Sequence, residues 1–71
     1  MFEKVTSTSS MIKSFAYDED AKILAVTFKN NSEWYYHNVP EKIFNDMKES
    51  DSHGKFFLAN IKGKYRDQPF S

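Results

Sequence analysis

Trp34-Tyr35-Tyr36-His37-Asn38-Val39-Pro40 is the stretch on which the fold turns. An aromatic run suited to a pleated strand meets a proline, which has no N–H to continue a ladder and whose fixed φ suits the first turn of a helix. Everything before it reads as strand and turn. Everything after it reads as helix.

Upstream, Lys22 to Phe28 alternates cleanly, with Leu24, Val26 and Phe28 on one face and Ile23, Ala25 and Thr27 on the other. The turn falls on Asn30-Asn31, since asparagine tolerates positive φ. A two-residue turn would set Phe28 opposite Glu33 and Val26 opposite Tyr35. A three-residue loop, Asn30-Asn31-Ser32, sets Phe28 opposite Trp34 and Val26 opposite Tyr36. Burial favours the longer loop or a bulge, because it gathers the large apolar groups on one face and leaves Glu33, Tyr35 and His37 outside.

Met11 to Tyr17 is the preceding strand, closed by the Asx-rich turn Asp18-Glu19-Asp20. Strict alternation separates Ile12 from Phe15 and Tyr17, so either a β-bulge lies near Lys13-Ser14 or Met11 faces inward in place of Ile12. Before it, Met1 to Ser10 ends in Thr6-Ser7-Thr8-Ser9-Ser10. These hydroxyls compete for backbone hydrogen bonds and predict an extended lead-in without a regular element, from which Ser9 and Ser10 could supply a polar site.

Downstream, Glu41, Ile43, Phe44 and Met47 place an acid and an apolar stripe on a helix from about Pro40 to Glu49. Ser52 is the expected N-cap of a second helix, whose Phe57, Leu58, Ile61 and Tyr65 form one apolar face. Gly54 and Gly63 each weaken that helix by about 1 kcal/mol if interior, and each marks a place where backbone can come close to a neighbour. Arg66 to Ser71 reads as an irregular tail with Phe70 able to fold back. The expected class is α+β, an antiparallel three-stranded β-meander followed by two α-helices packed on one sheet face.

A chain of 71 residues makes one domain with a small core, which seven phenylalanines, four tyrosines and one tryptophan help to fill. Ten basic and ten acidic residues cancel, so no global field draws in nucleic acid or an anionic membrane and any polyanion site must be local. The absence of cysteine excludes disulfides and thiolate zinc sites. No apolar run approaches the roughly 20 residues that span a bilayer. A cytoplasmic protein with no membrane partner is expected.

Trp34, Tyr35 and Tyr36 could form a base-stacking platform, although the register sends Trp34 and Tyr36 into the core and leaves Tyr35 as the exposed ring. Ser52-His53-Gly54-Lys55 could bind an anion at a helix N-terminus; the plainer reading is an N-cap followed by solvated residues. Lys55, Lys62, Lys64 and Arg66 could line a nucleic-acid strip on the second helix, or be the solvated side any amphipathic helix needs. His37 and His53 lie at no recognised metal-ligand spacing, and Ser52, His53 and Asp18 form no demonstrable nucleophile and base pair. Neither a catalytic group nor a metal or cofactor site is expected.

Ser9-Ser10, Ile12, Tyr17-Asp18, Leu24-x-Val26-x-Phe28, an aromatic-x-aromatic pair before Val39-Pro40, Ser52-x-Gly54-x-Phe56-Phe57, Ile61 and Tyr65 occur in an order that closely resembles the KTSC domain. That family is named for the C-terminus of some lysyl-tRNA synthetases and also occurs as a stand-alone bacterial protein. The resemblance covers roughly residues 7 to 66. Its Tyr-x-Tyr motif falls on Trp34-Tyr35-Tyr36, with tryptophan at the first position, so a hydroxyl is lost while a ring and an N–H donor remain. Asn31 stands where the family has a hairpin glycine. The synthetase context implies RNA binding. The expectation is therefore a non-enzymatic binding module that holds RNA through Tyr35, Ser52, His53, Gly54, Lys55, Lys62, Lys64 and Arg66. Trp34, Tyr36, Val39 and Pro40 then serve as core and motif residues. The alternative is a protein-interaction module, pairing through a free sheet edge or forming a homodimer.

Overall fold

The computed structural model describes residues 2–7 and 9–70; Met1, Thr8 and Ser71 of the two termini and the serine run lie outside the described residues. Its elements are β1 (Phe2–Thr6), β2 (Ile12–Asp18), β3 (Ile23–Phe28), β4 (Glu33–His37), α1 (Glu41–Glu49), α2 (His53–Asn60) and β5 (Arg66–Pro69). The strands form one antiparallel sheet in chain order, β1-β2-β3-β4-β5. The α+β class therefore holds, and the expected three-stranded meander is its middle. Two edge strands extend it where the sequence suggests an unstructured lead-in and tail.

Both added strands lack a strong apolar alternation and are held by backbone pairing. Val5 of β1 lies opposite Phe15, and Asp67 and Pro69 of β5 lie opposite Tyr36 and Trp34. All four residues of β5 are exposed, as suits an edge strand carrying charge and proline. Phe70 does fold back, with its ring centroid 5.5 Å from that of Tyr35.

The bulge is present, because the β2–β3 register shifts between Ile12 and Ser14, and this lets Ile12, Phe15 and Tyr17 all be buried. In the next hairpin the faces are those that burial favours, but the pairing differs by two residues. Leu24 faces Tyr36 and Val26 faces Trp34, while Phe28 N–H donates to Ser32 O. The three-residue loop is thus Lys29-Asn30-Asn31, and Asn31 carries the positive φ of 70° that closes a short hairpin.

Pro40 sits one place earlier than expected, at the N-cap of α1 with extended backbone, where its carbonyl accepts from Ile43 N and Phe44 N. The hinge before it is pinned from two directions. Tyr17 donates its hydroxyl to Val39 O at 2.6 Å, and Val39 N donates to Lys22 O. Phe44 of α1 then stacks on Tyr17 at 5.0 Å, and Phe57 of α2 meets Phe28 and Tyr36 edge-on. Burial of these rings with Leu24, Val26, Met47 and Ile61 makes the core on the helix-covered face of the sheet.

α2 ends at Asn60, short of the predicted run to Tyr65. Ile61 N and Lys62 N both donate to Phe57 O, and Gly63 adopts a φ of 78°, turning the chain into β5. Ile61 is buried and Tyr65 is partly buried, but Leu58 is 52% exposed and does not join the core face. Among the described residues no helix is long and apolar enough to cross a membrane.

Candidate functional site

A groove of about 480 Å³ opens at one end of the sheet. Trp34 and Tyr36 of β4 and Phe28 of β3 give it aromatic surface, Phe57 and the exposed Leu58 form a helical wall, and Met11 approaches from the connection just before β2. Polar groups surround this apolar lining. Lys29, Asn30 and Ser32 come from the β3–β4 hairpin, Lys62 from the turn after α2, and Asp67 from β5. The volume lies within the range of small-ligand sites, and an apolar floor with a few placed polar groups is their usual composition.

Hydrogen bonds shape the rim. Asn30 Oδ1 accepts from Ser32 N at 3.0 Å and from Ser32 Oγ at 2.6 Å, holding the hairpin tip, while Lys13 Nζ donates to Asn31 Oδ1 at 3.2 Å. Tyr36 is only 3% exposed, and burial followed by the nearby Asp67 carboxylate pushes its hydroxyl up to about 12. It therefore stays protonated throughout the physiological range.

A second, polar hollow of about 280 Å³ lies among Ser9, Ser10, Ser50, Asp51, Ser52 and His53. His53 is fixed from both sides, with Nδ1 2.7 Å from Ser7 Oγ and Nε2 3.3 Å from Lys48 O. A carbonyl can only accept, so Nε2 carries the proton and Ser7 donates to Nδ1 in the neutral ring. Ser7 Oγ also accepts from Ser9 N, and the hydroxyl is buried.

The KTSC domain model matches residues 8–65, and a crystal structure of a KTSC domain protein from Yersinia pestis superposes with a TM-score of 0.94 at 30% identity, covering all of both chains. The chain belongs to the KTSC domain family. It is also 33% identical over 58 residues to a small protein of Tsukamurella paurometabola, covering 82% of this chain and 87% of that one. A lysine–tRNA ligase of Nostoc punctiforme is 30% identical over 70 residues. This KTSC domain spans only 12% of that ligase's length.

The site residues expected from the sequence divide among several places. Of the residues expected to hold RNA, Lys62 alone lines the groove, together with Trp34 and Tyr36, expected as core and motif residues, and Ser10, expected at a polar site. Ser52 is the N-cap, its Oγ accepting from Lys55 N at 3.3 Å, and Ser52 N donates to Ser50 Oγ. The donors expected to meet an anion at Ser52-His53-Gly54-Lys55 are thus partly used within the protein. Gly54 is buried against the serine run, since a Cβ there would stand 2.9 Å from Ser9 Oγ. Its close approach is to this chain's own Ser9.

Lys55, Lys62, Lys64 and Arg66 do not form a strip on one helix. Lys55 is on α2, Lys62 and Lys64 are in the following turn, and Arg66 opens β5. Register puts Arg66 beside His37 and Tyr35 beside Gln68 on the sheet face away from the helices, so Tyr35 and Lys62 lie on opposite sides. His37 contacts Gln68 through Nε2 at 3.1 Å. Asp18 caps its own turn by accepting from Asp20 N and Ala21 N, and Ser52 is directed to Lys55, so neither is paired with His53. Among the described residues no cluster of three or more potential ligands could hold a metal.

The sequence reading misses Lys29, Asn30, Leu58 and Asp67 of the groove, along with Ser7 as the partner of His53. The signal for Leu58 was present in its adjacency to Phe57. Leu58 follows Phe57 by about 100° around the helix, which puts it at the margin of the core-facing stripe.

Proposed function

We propose that this KTSC domain is a non-enzymatic binding module whose ligand is single-stranded RNA, received as an unstacked base in the groove beside Trp34. The observation that carries this reading is the meeting of Trp34 and Leu58 with Lys29 and Lys62 around one groove. Aromatic surface supplies stacking for any base, and lysines at the rim supply the phosphate contacts. The kinship with a stretch of lysine–tRNA ligases agrees with an RNA context. A non-enzymatic role is supported by Ser7, whose oxygen is buried and already accepts the Ser9 amide.

Trp34 is the only tryptophan, so its fluorescence reports on the groove directly. Titration with a short single-stranded RNA should quench it, and affinity should fall with salt at a log–log slope of about −1.4, as expected for two phosphate contacts at roughly −0.7 each. Lys62→Gln should halve that slope. Absence of quenching, or quenching indifferent to salt, defeats the reading.

The other expectation, a protein-interaction module pairing through a sheet edge or with a second copy, has its edges moved outward: β1 and β5 now border the sheet, and β5 carries Arg66, Asp67 and Pro69, which discourage a further strand on that side.

A further inference from the structure

The groove holds two groups that a general stacking platform does not need. Tyr36 is 3% exposed and lines the groove, and no hydrogen bond to its hydroxyl is formed among the described residues. Asp67, its partner across the β4–β5 ladder, puts a carboxylate into a site otherwise suited to a polyanion. A carboxylate repels phosphate. It contributes to RNA binding by accepting hydrogen bonds, from a ribose 2′-hydroxyl or from a base edge, and the groove beside Trp34 is where a base is received.

From the juxtaposition of the Asp67 carboxylate and the Tyr36 hydroxyl beside Trp34, we infer that the groove selects guanine. The inference rests on the RNA-binding reading and assigns the base to it. Guanine presents the carbonyl O6, N1–H and the N2 amino group in a row along one edge. The carboxylate takes the two adjacent N–H donors, and the phenol donates to O6. Adenine has one amino group on that edge and an acceptor where guanine has N1–H, which places a lone pair against the carboxylate. Uracil has a single N–H donor, flanked by two carbonyls. Cytosine has one amino donor followed by two acceptors. Only guanine satisfies both oxygens of the acid and the hydroxyl at once. Lys29 and Lys62 remain for the flanking phosphates.

The test is a set of uridine hexanucleotides carrying guanine, adenine, cytosine or hypoxanthine at one central position, titrated against the intact protein with Trp34 fluorescence as readout. Guanine should bind about 10-fold more tightly than adenine, as a two-point contact to a base edge commonly discriminates. Hypoxanthine, which lacks the N2 amino group, should fall between them. Asp67→Asn changes an exposed residue, so the fold persists; it should erase the guanine preference while leaving the adenine oligonucleotide bound at least as tightly, because a negative charge is gone. Tyr36→Phe, which keeps the ring, should weaken guanine binding alone. Equal affinities for all four oligonucleotides with normal salt dependence would overturn the base assignment and leave RNA binding standing, as would a guanine preference that survives in Asp67→Asn. Failure of every oligonucleotide to bind overturns both.

Discussion

The hydroxyl of Ser7 lies 2.7 Å from Nδ1 of His53, joining the β1–β2 connection to the first turn of α2. The same ring meets Phe15 edge-on at 4.9 Å and reaches Lys48 O at the end of α1, so three parts of the chain converge on one imidazole. Ser7→Ala should lower stability by about 1–2 kcal/mol through the lost hydrogen bond and the unpaired acceptor it leaves. His53→Ala should cost more, since ring packing goes too. Urea unfolding measures both, and RNA binding at the groove should be unaffected in Ser7→Ala.

Gly54→Ala sets helix propensity against close packing. Alanine gains up to about 1 kcal/mol inside a helix. The new Cβ, however, would stand 2.9 Å from Ser9 Oγ, which is held by accepting from Met11 N and Ile12 N and cannot withdraw freely. Overpacking should win, with a net loss of about 1–2 kcal/mol. In a double-mutant cycle with Ser9→Ala, the pair should be less destabilised than the sum of the two single changes.

Asn31 occupies left-handed backbone at a φ of 70°. Asn31→Gly should leave stability within about 0.5 kcal/mol of the original, whereas Asn31→Val should lose about 1–2 kcal/mol, because a β-branched side chain is strained there. Thermal unfolding of the two variants separates them. The Lys13 contact to Asn31 Oδ1 is exposed and contributes little to either result.

Alkaline pH should weaken the fold through Tyr36. Its hydroxyl is held at about 12 in the folded chain against 10.0 as the ordinary value, chiefly by burial and then by Asp67. Above pH 10 the unfolded chain loses that proton while the folded chain keeps it, so stability is complete below pH 10 and falls as pH rises towards 12. The loss is at most about 2–3 kcal/mol for a shift of this size. Tyr17, also raised by burial and then by neighbouring acids, adds in the same direction. Unfolding measured between pH 9 and 11 should show a shallower decline in Tyr36→Phe.

The centre of the fold was legible because its signals were local. Alternating Leu24, Val26 and Phe28, the broken alternation at Lys13-Ser14, and Ser52 as an N-cap each depend on a few neighbouring residues. β5 was not legible, since Arg66-Asp67-Gln68-Pro69 carries no apolar pattern and becomes a strand only when β4 is already there to pair with it. The groove was missed for the same reason. Lys29, Leu58 and Asp67 come from three separate elements, and nothing in their spacing announces that they meet. Lys62 was found for its charge, although the helix assigned to it ends before it.

The β4–β5 ladder closes the longest loop in the sheet, since both helices intervene between its strands, whereas the other three ladders join neighbours across short turns. Closing a long loop costs more chain entropy, and the strand that bears the cost is short and exposed. The amide protons of Gln68, which lies in a hydrogen-bonded pair with Tyr35, and of Phe70, which donates to Glu33 O, should then exchange with solvent through local opening well below the free energy of global unfolding. Asp67 is thus carried on a segment able to peel away and return while the aromatic floor stays folded. Occupancy of the groove would register as slowed exchange along that one strand.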